Sequence, residues 1–164
     1  MTLRLLALIA LLSFGACRSQ KAGRPSYAGN AAQVPVLTIE KTPCFGTCPI
    51  YRASFYADGK LLYEGKQFVD REGTWEFVLP EALVRTWLDR AEEIDYLALL
   101  DKYPTNMTDV PSTITMVRMN DQNKRVVVEG TPPPALKAFQ QDLHQEVMRI
   151  AKEEEGTAVA DMKP

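Results

Sequence analysis

Alternating apolar and polar residues in the middle of the chain predict β-strands. Six strands are predicted, at residues 35–41, 50–56, 60–65, 73–79, 112–119 and 124–129. Asp58-Gly59 predicts a tight hairpin turn between the second and third strands, and residues 120–123 predict another turn between the last two. These short links favour antiparallel pairing.

Two further segments carry apolar residues at helical spacing. The first helix is predicted at 80–94, with an apolar stripe formed by Leu83, Trp87, Ala91 and Ile94. The second is predicted to begin at the triple proline 132–134 and to run to about residue 152, with a stripe formed by Leu136, Phe139, Leu143, Val147 and Ile150. The order ββββαββα predicts an α+β fold, in which an antiparallel sheet of about six strands carries both helices on one face.

The first 16 residues have the pattern of a signal peptide. Arg4 is followed by an apolar run at 5–14, which is too short to span a bilayer. Gly15-Ala16-Cys17 resembles the bacterial lipobox, and this resemblance implies cleavage before Cys17 and acylation of that cysteine. The alternatives are an ordinary secretory signal with an incidental cysteine, and an uncleaved anchor.

After the signal peptide at 1–16, the chain is predicted to contain three further segments. Residues 17–34 are predicted to form a flexible tether, residues 35–152 a single α+β domain, and residues 153–164 a disordered tail. A lipid on Cys17 would hold the domain at a membrane of the bacterial cell envelope. An aspartate after this cysteine would resemble an inner-membrane retention signal. The residue found there is Arg18, so the same resemblance to bacterial lipoproteins implies the outer membrane, with the domain facing the periplasm.

The charge of the chain argues against nucleic acid as a partner. Lysine and arginine together number 19, aspartate and glutamate together number 21, and no basic run or stripe occurs. The partners that remain are the membrane, through the lipid on Cys17, and another protein of the envelope.

Cys44 and Cys48 are enclosed by Pro43 and Pro49, and Gly46 lies between them. The prolines and the glycine predict a tight turn, and a turn of this length brings two cysteines within disulfide range. Acylation of the third cysteine would leave an even pair in an oxidising compartment, where disulfides persist. A structural disulfide is therefore favoured, while a redox-active pair, a site for copper(I) or another metal, and two reduced thiols are the alternatives.

The segment Thr42-Pro-Cys-Phe-Gly-Thr-Cys-Pro-Ile-Tyr51 resembles the characteristic motif of domain-of-unknown-function family 6438, which occurs in bacterial, often lipid-anchored, envelope proteins. The resemblance covers about residues 35–150. Further positions that fit the family are Asp58-Gly59, Tyr63, Gly65, Tyr103, Asp109-x-Pro111 and Pro134-x-Leu136. The resemblance implies a small α+β fold and brings no activity with it.

No catalytic motif is visible: the sequence contains neither Gly-x-Ser-x-Gly, nor a phosphate-binding loop, nor His-Glu-x-x-His. The one histidine, His144, is expected at the rim of the apolar stripe of the last helix. The polar loop at 103–111 is the best candidate for ligand binding, through Tyr103, Asn106 and Asp109. The alternative for this loop is a turn that the side chains of Asn106 and Asp109 stabilise.

Together, these features predict a non-enzymatic binding or scaffolding module of the bacterial envelope, stabilised by a disulfide. We expect no cofactor and no metal site. The alternative function is thiol redox chemistry or copper handling in the periplasm, which Cys44 and Cys48 would carry.

Overall fold

The computed structural model describes residues 34–159. The predicted signal peptide, Cys17, the tether up to residue 33 and residues 160–164 of the predicted tail lie outside this range. The strands are β1 Leu37–Lys41, β2 Ile50–Phe55, β3 Lys60–Gln67, β4 Gly73–Val78, β5 Lys102–Tyr103, β6 Thr113–Met119, β7 Gln122–Val128 and β8 Thr157–Ala158. The helices are α1 Glu81–Glu93 and α2 Pro134–Glu153, with a short 3₁₀ helix at Tyr96–Ala98. Within the described range, no helix combines the length and the apolar character needed to cross a membrane.

All of these strands belong to one sheet, in the order β5-β7-β6-β1-β2-β3-β4-β8. Neighbouring strands are antiparallel, except that β5 runs parallel to β7. The first long strand, β1, therefore lies in the middle of the sheet, between β2 and β6. The predicted α+β fold with a largely antiparallel sheet is confirmed, although the sheet as a whole is mixed.

The prediction of about six strands in the order ββββαββα was wrong, because it missed β5 and β8. Each of these strands has two residues, and no alternation can be read from so short a segment. β5 falls at the start of the predicted polar loop, and β8 falls in the predicted disordered tail. Both pair with a longer strand at an edge of the sheet, β7 or β4, so tertiary packing and not local pattern determines them.

Both predicted hairpin turns form, and both depend on residues that tolerate a positive φ. Gly59 has a φ of +87°, and a Cβ at this position would lie 2.1 Å from the backbone oxygen of Leu79, so only glycine fits. Asn120 and Asp121 both have positive φ, as a two-residue turn that follows the twist of its strands requires. The second turn is therefore shorter than predicted, and β7 begins earlier.

One face of the sheet, which we call the inner face, holds the core and both helices. Alternate residues of the central strands point to it and are almost completely buried: Leu37, Ile39, Tyr51, Ala53, Phe55, Leu61, Tyr63, Phe77, Val117 and Val126. The buried residues of α2 include its whole predicted stripe, Leu136, Phe139, Leu143, Val147 and Ile150, and α1 adds Val84, Trp87, Leu88 and Ala91. A single apolar core thus lies between the sheet and the two helices.

A small polar cluster inside this core attaches α2 to the sheet. The hydroxyls of Thr115 on β6 and Tyr96 share a hydrogen bond of 2.5 Å, and Gln140 Nε2 on α2 donates to Thr115 Oγ1 at 3.1 Å. The ring of Phe139, next to Gln140, contacts the rings of Trp87 and Tyr96. Because a buried polar group that loses its partner costs about 1–3 kcal/mol, this cluster fixes the position of α2.

Candidate functional site

One end of the sheet gathers the loops in which the sequence analysis placed most of its candidate residues. β1 and β7 end here, and β2 and β6 begin here, as their antiparallel registers require. The disulfide turn at 42–49 joins β1 to β2, the loop at 104–112 leads into β6, and residues 129–133 connect β7 to α2. Two recesses lie at this end, one between the first two of these loops and one beneath the start of α2.

Cys44 and Cys48 are joined by a disulfide, as predicted. Their Cα atoms lie 5.9 Å apart, within the usual range of about 4.4–6.8 Å. Gly46, between them, has a φ of +136°, which glycine adopts without strain. Phe45 points into solvent with 88% of its surface exposed. The turn therefore presents a large apolar side chain on a covalently closed backbone.

Hydrogen bonds between Thr42 and Ser112 fix the disulfide turn to the loop that precedes β6. The amide of Thr42 donates to the carbonyl of Ser112 at 3.1 Å, and the amide of Ser112 donates to the hydroxyl of Thr42 at 2.7 Å. Next to these bonds, the turn and the loop enclose a shallow recess of about 370 Å³. We call it the Phe45 recess, and its lining residues are Pro43, Cys44, Phe45, Asp109 and Val110.

The structure assigns different places to the three loop residues that were predicted to bind a ligand. Tyr103 lies in β5, packs against the core, and accepts a hydrogen bond on its hydroxyl from the amide of Leu100 at 3.3 Å. Asn106 is exposed, and Asp109, also exposed, lines the Phe45 recess with a positive φ. The binding role of these three residues stays a prediction, and Asp109 is the one that lies beside the disulfide turn.

The second recess is a pocket of about 260 Å³ beneath the first half of α2. The last residues of β1 and β7 and the first residue of β6 form its sheet side, and α2 forms the opposite side. We call it the Lys41 pocket, and its polar lining side chains include Lys41, Thr113, Lys137, Gln140, Gln141 and His144. Among the described residues, no carboxylate lines it, so its two lysines make it electrically positive.

The register of β1 places Lys41 in this pocket. Lys41 follows Leu37 and Ile39 at alternate positions, so it points to the inner face as they do. Its ammonium group donates to the hydroxyl of Thr113 at 2.8 Å, and it forms no ion pair within residues 34–159. Burial lowers the pKa of Lys41 from its ordinary value. Because a half-buried cation without a counter-charge is unfavourable, an anion bound beside it would be stabilising.

Tyr51 holds His144 in place at the same pocket. The hydroxyl of Tyr51 lies 2.8 Å from His144 Nδ1, and the two rings stack with their centroids 5.7 Å apart. Burial raises the pKa of the Tyr51 phenol, so the phenol stays protonated. Tyr51 is buried, and its hydroxyl has no other partner among residues 34–159, so we infer that it donates to Nδ1; the reverse bond would leave a buried O–H without an acceptor. Burial, and then the charge of Lys41, lower the pKa of His144, so its ring is neutral at neutral pH and carries its own proton on Nε2.

Sequence reasoning missed Lys41 and treated His144 only as a rim residue. A signal for Lys41 was available, because a charged residue occupies a position that the alternation of Leu37 and Ile39 assigns to the core. No such signal existed for His144, since its partner Tyr51 lies 93 residues away in the chain. Only the packing of α2 across the sheet brings the two rings together.

A comparison with protein-family models matches residues 35–147 to the family described as Domain of unknown function (DUF6438). The match covers most of the chain, from the start of the sheet to the greater part of α2. The chain belongs to this family. The disulfide turn, the Phe45 recess and the Lys41 pocket all lie within the DUF6438 domain. No curated protein shows a significant match to the chain.

We predict that His144 makes the protein less stable as the solution becomes acidic. Because the pKa of His144 is lower in the folded state, the unfolded chain takes up the proton first as the pH falls through about 6.5. The free energy of unfolding should therefore fall more between about pH 7.5 and about pH 5.5 in the native protein than in His144→Gln. Urea unfolding at both pH values measures the difference, and equal losses in the two proteins would contradict the prediction.

We also predict that the disulfide contributes modestly to stability. Closing a loop of about five residues restricts the unfolded chain by roughly 2 kcal/mol. The Cys44→Ala/Cys48→Ala double variant should therefore stay folded and lose about 2 kcal/mol of unfolding free energy, measured by urea denaturation. The native protein in reductant should lose the same amount. An unchanged stability, or complete unfolding, would be inconsistent with a bridge that closes only this turn.

Proposed function

We propose that the chain is a lipid-anchored, non-enzymatic binding module of the bacterial cell envelope, and that it holds a partner protein at the Phe45 recess. The observation that carries the proposal is the exposure of Phe45, 88%, on a turn that a disulfide closes. The proposed anchor is the lipid on Cys17, and the proposed location is the periplasmic side of the outer membrane.

A rigid, exposed aromatic side chain favours binding for two physical reasons. A partner that covers the ring of Phe45 removes apolar surface from water, which yields about 25 cal/mol per Å². The disulfide and the hydrogen bonds between Thr42 and Ser112 already restrict the turn, so less conformational entropy is lost on association. Asp109, at the edge of the same recess, adds a carboxylate that can select a donor or a cation on the partner.

Two features support the envelope location. Gly15-Ala16-Cys17 has the lipobox pattern, and acylation there would account for the third cysteine. The other two cysteines form a bridge, and such bridges persist in oxidising compartments but are rare in the cytosol. Residues 17–34 would then serve as the tether between the membrane and the domain.

Site-specific photocrosslinking in intact cells tests the binding surface. A photoreactive amino acid replaces Phe45 in one variant and Val78 in a matched control. Val78 is 85% exposed but lies at the end of β4, at the opposite end of the sheet. We predict a reproducible protein adduct from position 45 and none from position 78. Equal adducts at both positions, or none at position 45, would contradict a partner at the Phe45 recess.

The same cells test the anchor and the state of the cysteines. The Cys17→Ser variant should move from the membrane fraction to the soluble fraction, and a variant that stays membrane-bound would contradict the lipid anchor. In the native protein, Cys44 and Cys48 should react with a maleimide only after reductant is added. A persistent pool of free thiols in untreated cells would instead favour thiol redox or copper handling, since the thiolate is both the nucleophile and the metal ligand.

A further inference from the structure

We infer that the Lys41 pocket binds the terminal carboxylate of a peptide. The proposed function uses the Phe45 recess and makes no use of this pocket. The two ideas rest on different residues of the same sheet end, so each can fail without the other.

The pocket offers positive charge that no acidic side chain in its lining neutralises. Lys41 donates to Thr113 and keeps two further N–H donors, and Lys137 approaches from α2. The acidic residues of α2 and of the segment after β7 pair with other cations: Asp142 with Arg90 at 2.7 Å, Glu146 with Arg149 at 2.9 Å, and Glu129 with Lys102 at 3.0 Å. A bound anion would therefore meet two lysines, in a partly desolvated place where charge attraction is stronger than in bulk water.

The remaining polar groups of the pocket suit a carboxylate that is followed by an amide. With Nδ1 occupied by Tyr51, His144 has its Nε2–H left as a donor for a carboxylate oxygen. Gln140 donates Nε2 to Thr115, which leaves its carbonyl oxygen as an acceptor, and Gln141 offers both a donor and acceptor. A peptide end supplies an oxyanion for the lysines, an N–H for the glutamine carbonyls and an apolar side chain, whereas inorganic phosphate supplies oxyanions and O–H donors but no apolar group.

The size of the pocket limits the ligand to a chain end. Its volume of about 260 Å³ lies below the range of about 300–1,000 Å³ that is usual for drug-sized ligands. Val128 and Pro132 provide an apolar wall against which a small terminal side chain can pack. The pocket therefore fits one terminal residue with its carboxylate, and the preceding residues would extend into solvent.

Lys41 allows this inference to be tested without unfolding the protein. An apolar side chain at position 41 would continue the inner-face series of Leu37 and Ile39, and it would remove a half-buried charge. Lys41→Met should therefore fold, unfold at the same or a higher temperature than the native protein, and lose the ligand. Lys66→Met removes the same charge from an exposed position on β3 and serves as the matched control.

Calorimetric titration of the full-length protein in non-ionic detergent measures the binding. The probe is N-acetyl-alanyl-alanine, compared with its C-terminal amide and with inorganic phosphate. We expect the free acid to bind at least about ten-fold more tightly than the amide, and more tightly than phosphate. Lys41→Met should weaken binding of the acid at least about ten-fold, and Lys66→Met should bind it as the native protein does.

Three results would overturn the inference. The acid and the amide could bind equally or not at all, which would remove the role of the carboxylate. Phosphate could bind more tightly than the acid, which would make the ligand an inorganic or ester phosphate. Lys66→Met could lose as much affinity as Lys41→Met, which would assign the attraction to net charge and not to the pocket.

Discussion

The packing of α2 across the inner face of the sheet is the interaction on which the rest of the structure depends. Two hydrogen bonds fix where the helix lies, one from Gln140 to Thr115 on β6 and one from Tyr51 on β2 to His144. These strands come from opposite halves of the chain, and β1 lies between them. The helix thus packs across β1 and β6, neighbouring strands that are far apart in sequence. Both recesses lie at the end of the sheet where α2 begins.

Along the inner face, the side chains change from apolar in the core to polar at the end of the sheet that carries the disulfide turn. This change explains why the Lys41 pocket is polar. Tyr51, Lys41, Thr113, Val128 and Tyr103 form one row across five paired strands. The row lies between the core and solvent: Tyr51 is buried, while Lys41, Thr113 and Tyr103 are only partly exposed. Partial burial at this place lowers the pKa values of Lys41 and of His144 on α2. The same row fixes the strand ends from which the disulfide turn projects.

The sequence predicted those parts of the fold that leave a periodic pattern of apolar residues in the chain. Burial of one face imposes an alternation on long strands and a stripe on helices, so all the long strands and both helices were predictable, and Leu136 to Ile150 formed the expected stripe. The disulfide was predictable because flanking prolines, Gly46 and the cysteine count all constrain the same turn. Features that arise from tertiary pairing were not: β8 forms only against Trp75 and Glu76 of β4.

The candidate site residues show the same limit: closeness in sequence could be predicted, but contacts made by the folded chain could not. Tyr103, Asn106 and Asp109 were grouped because they are close in sequence, yet pairing with β7 takes Tyr103 into the sheet, while Asp109 lies at the disulfide turn. The Lys41 pocket combines strand ends and a helix that only the folded chain brings together. The sequence alone could have identified Lys41 as a charged residue at a core position of β1. It could not have predicted which residues surround Lys41 in the folded protein.

The protonation of His144 tests most directly whether α2 packs against the sheet in this way. His144 is the only histidine in the sequence, so a nitrogen-15 imidazole spectrum of the untagged full-length protein at neutral pH reports its ring without overlap. We predict a neutral ring with the proton on Nε2 and an unprotonated Nδ1 that accepts the hydrogen bond from Tyr51. A ring that is protonated at neutral pH, or that averages rapidly between the two tautomers, would contradict this packing.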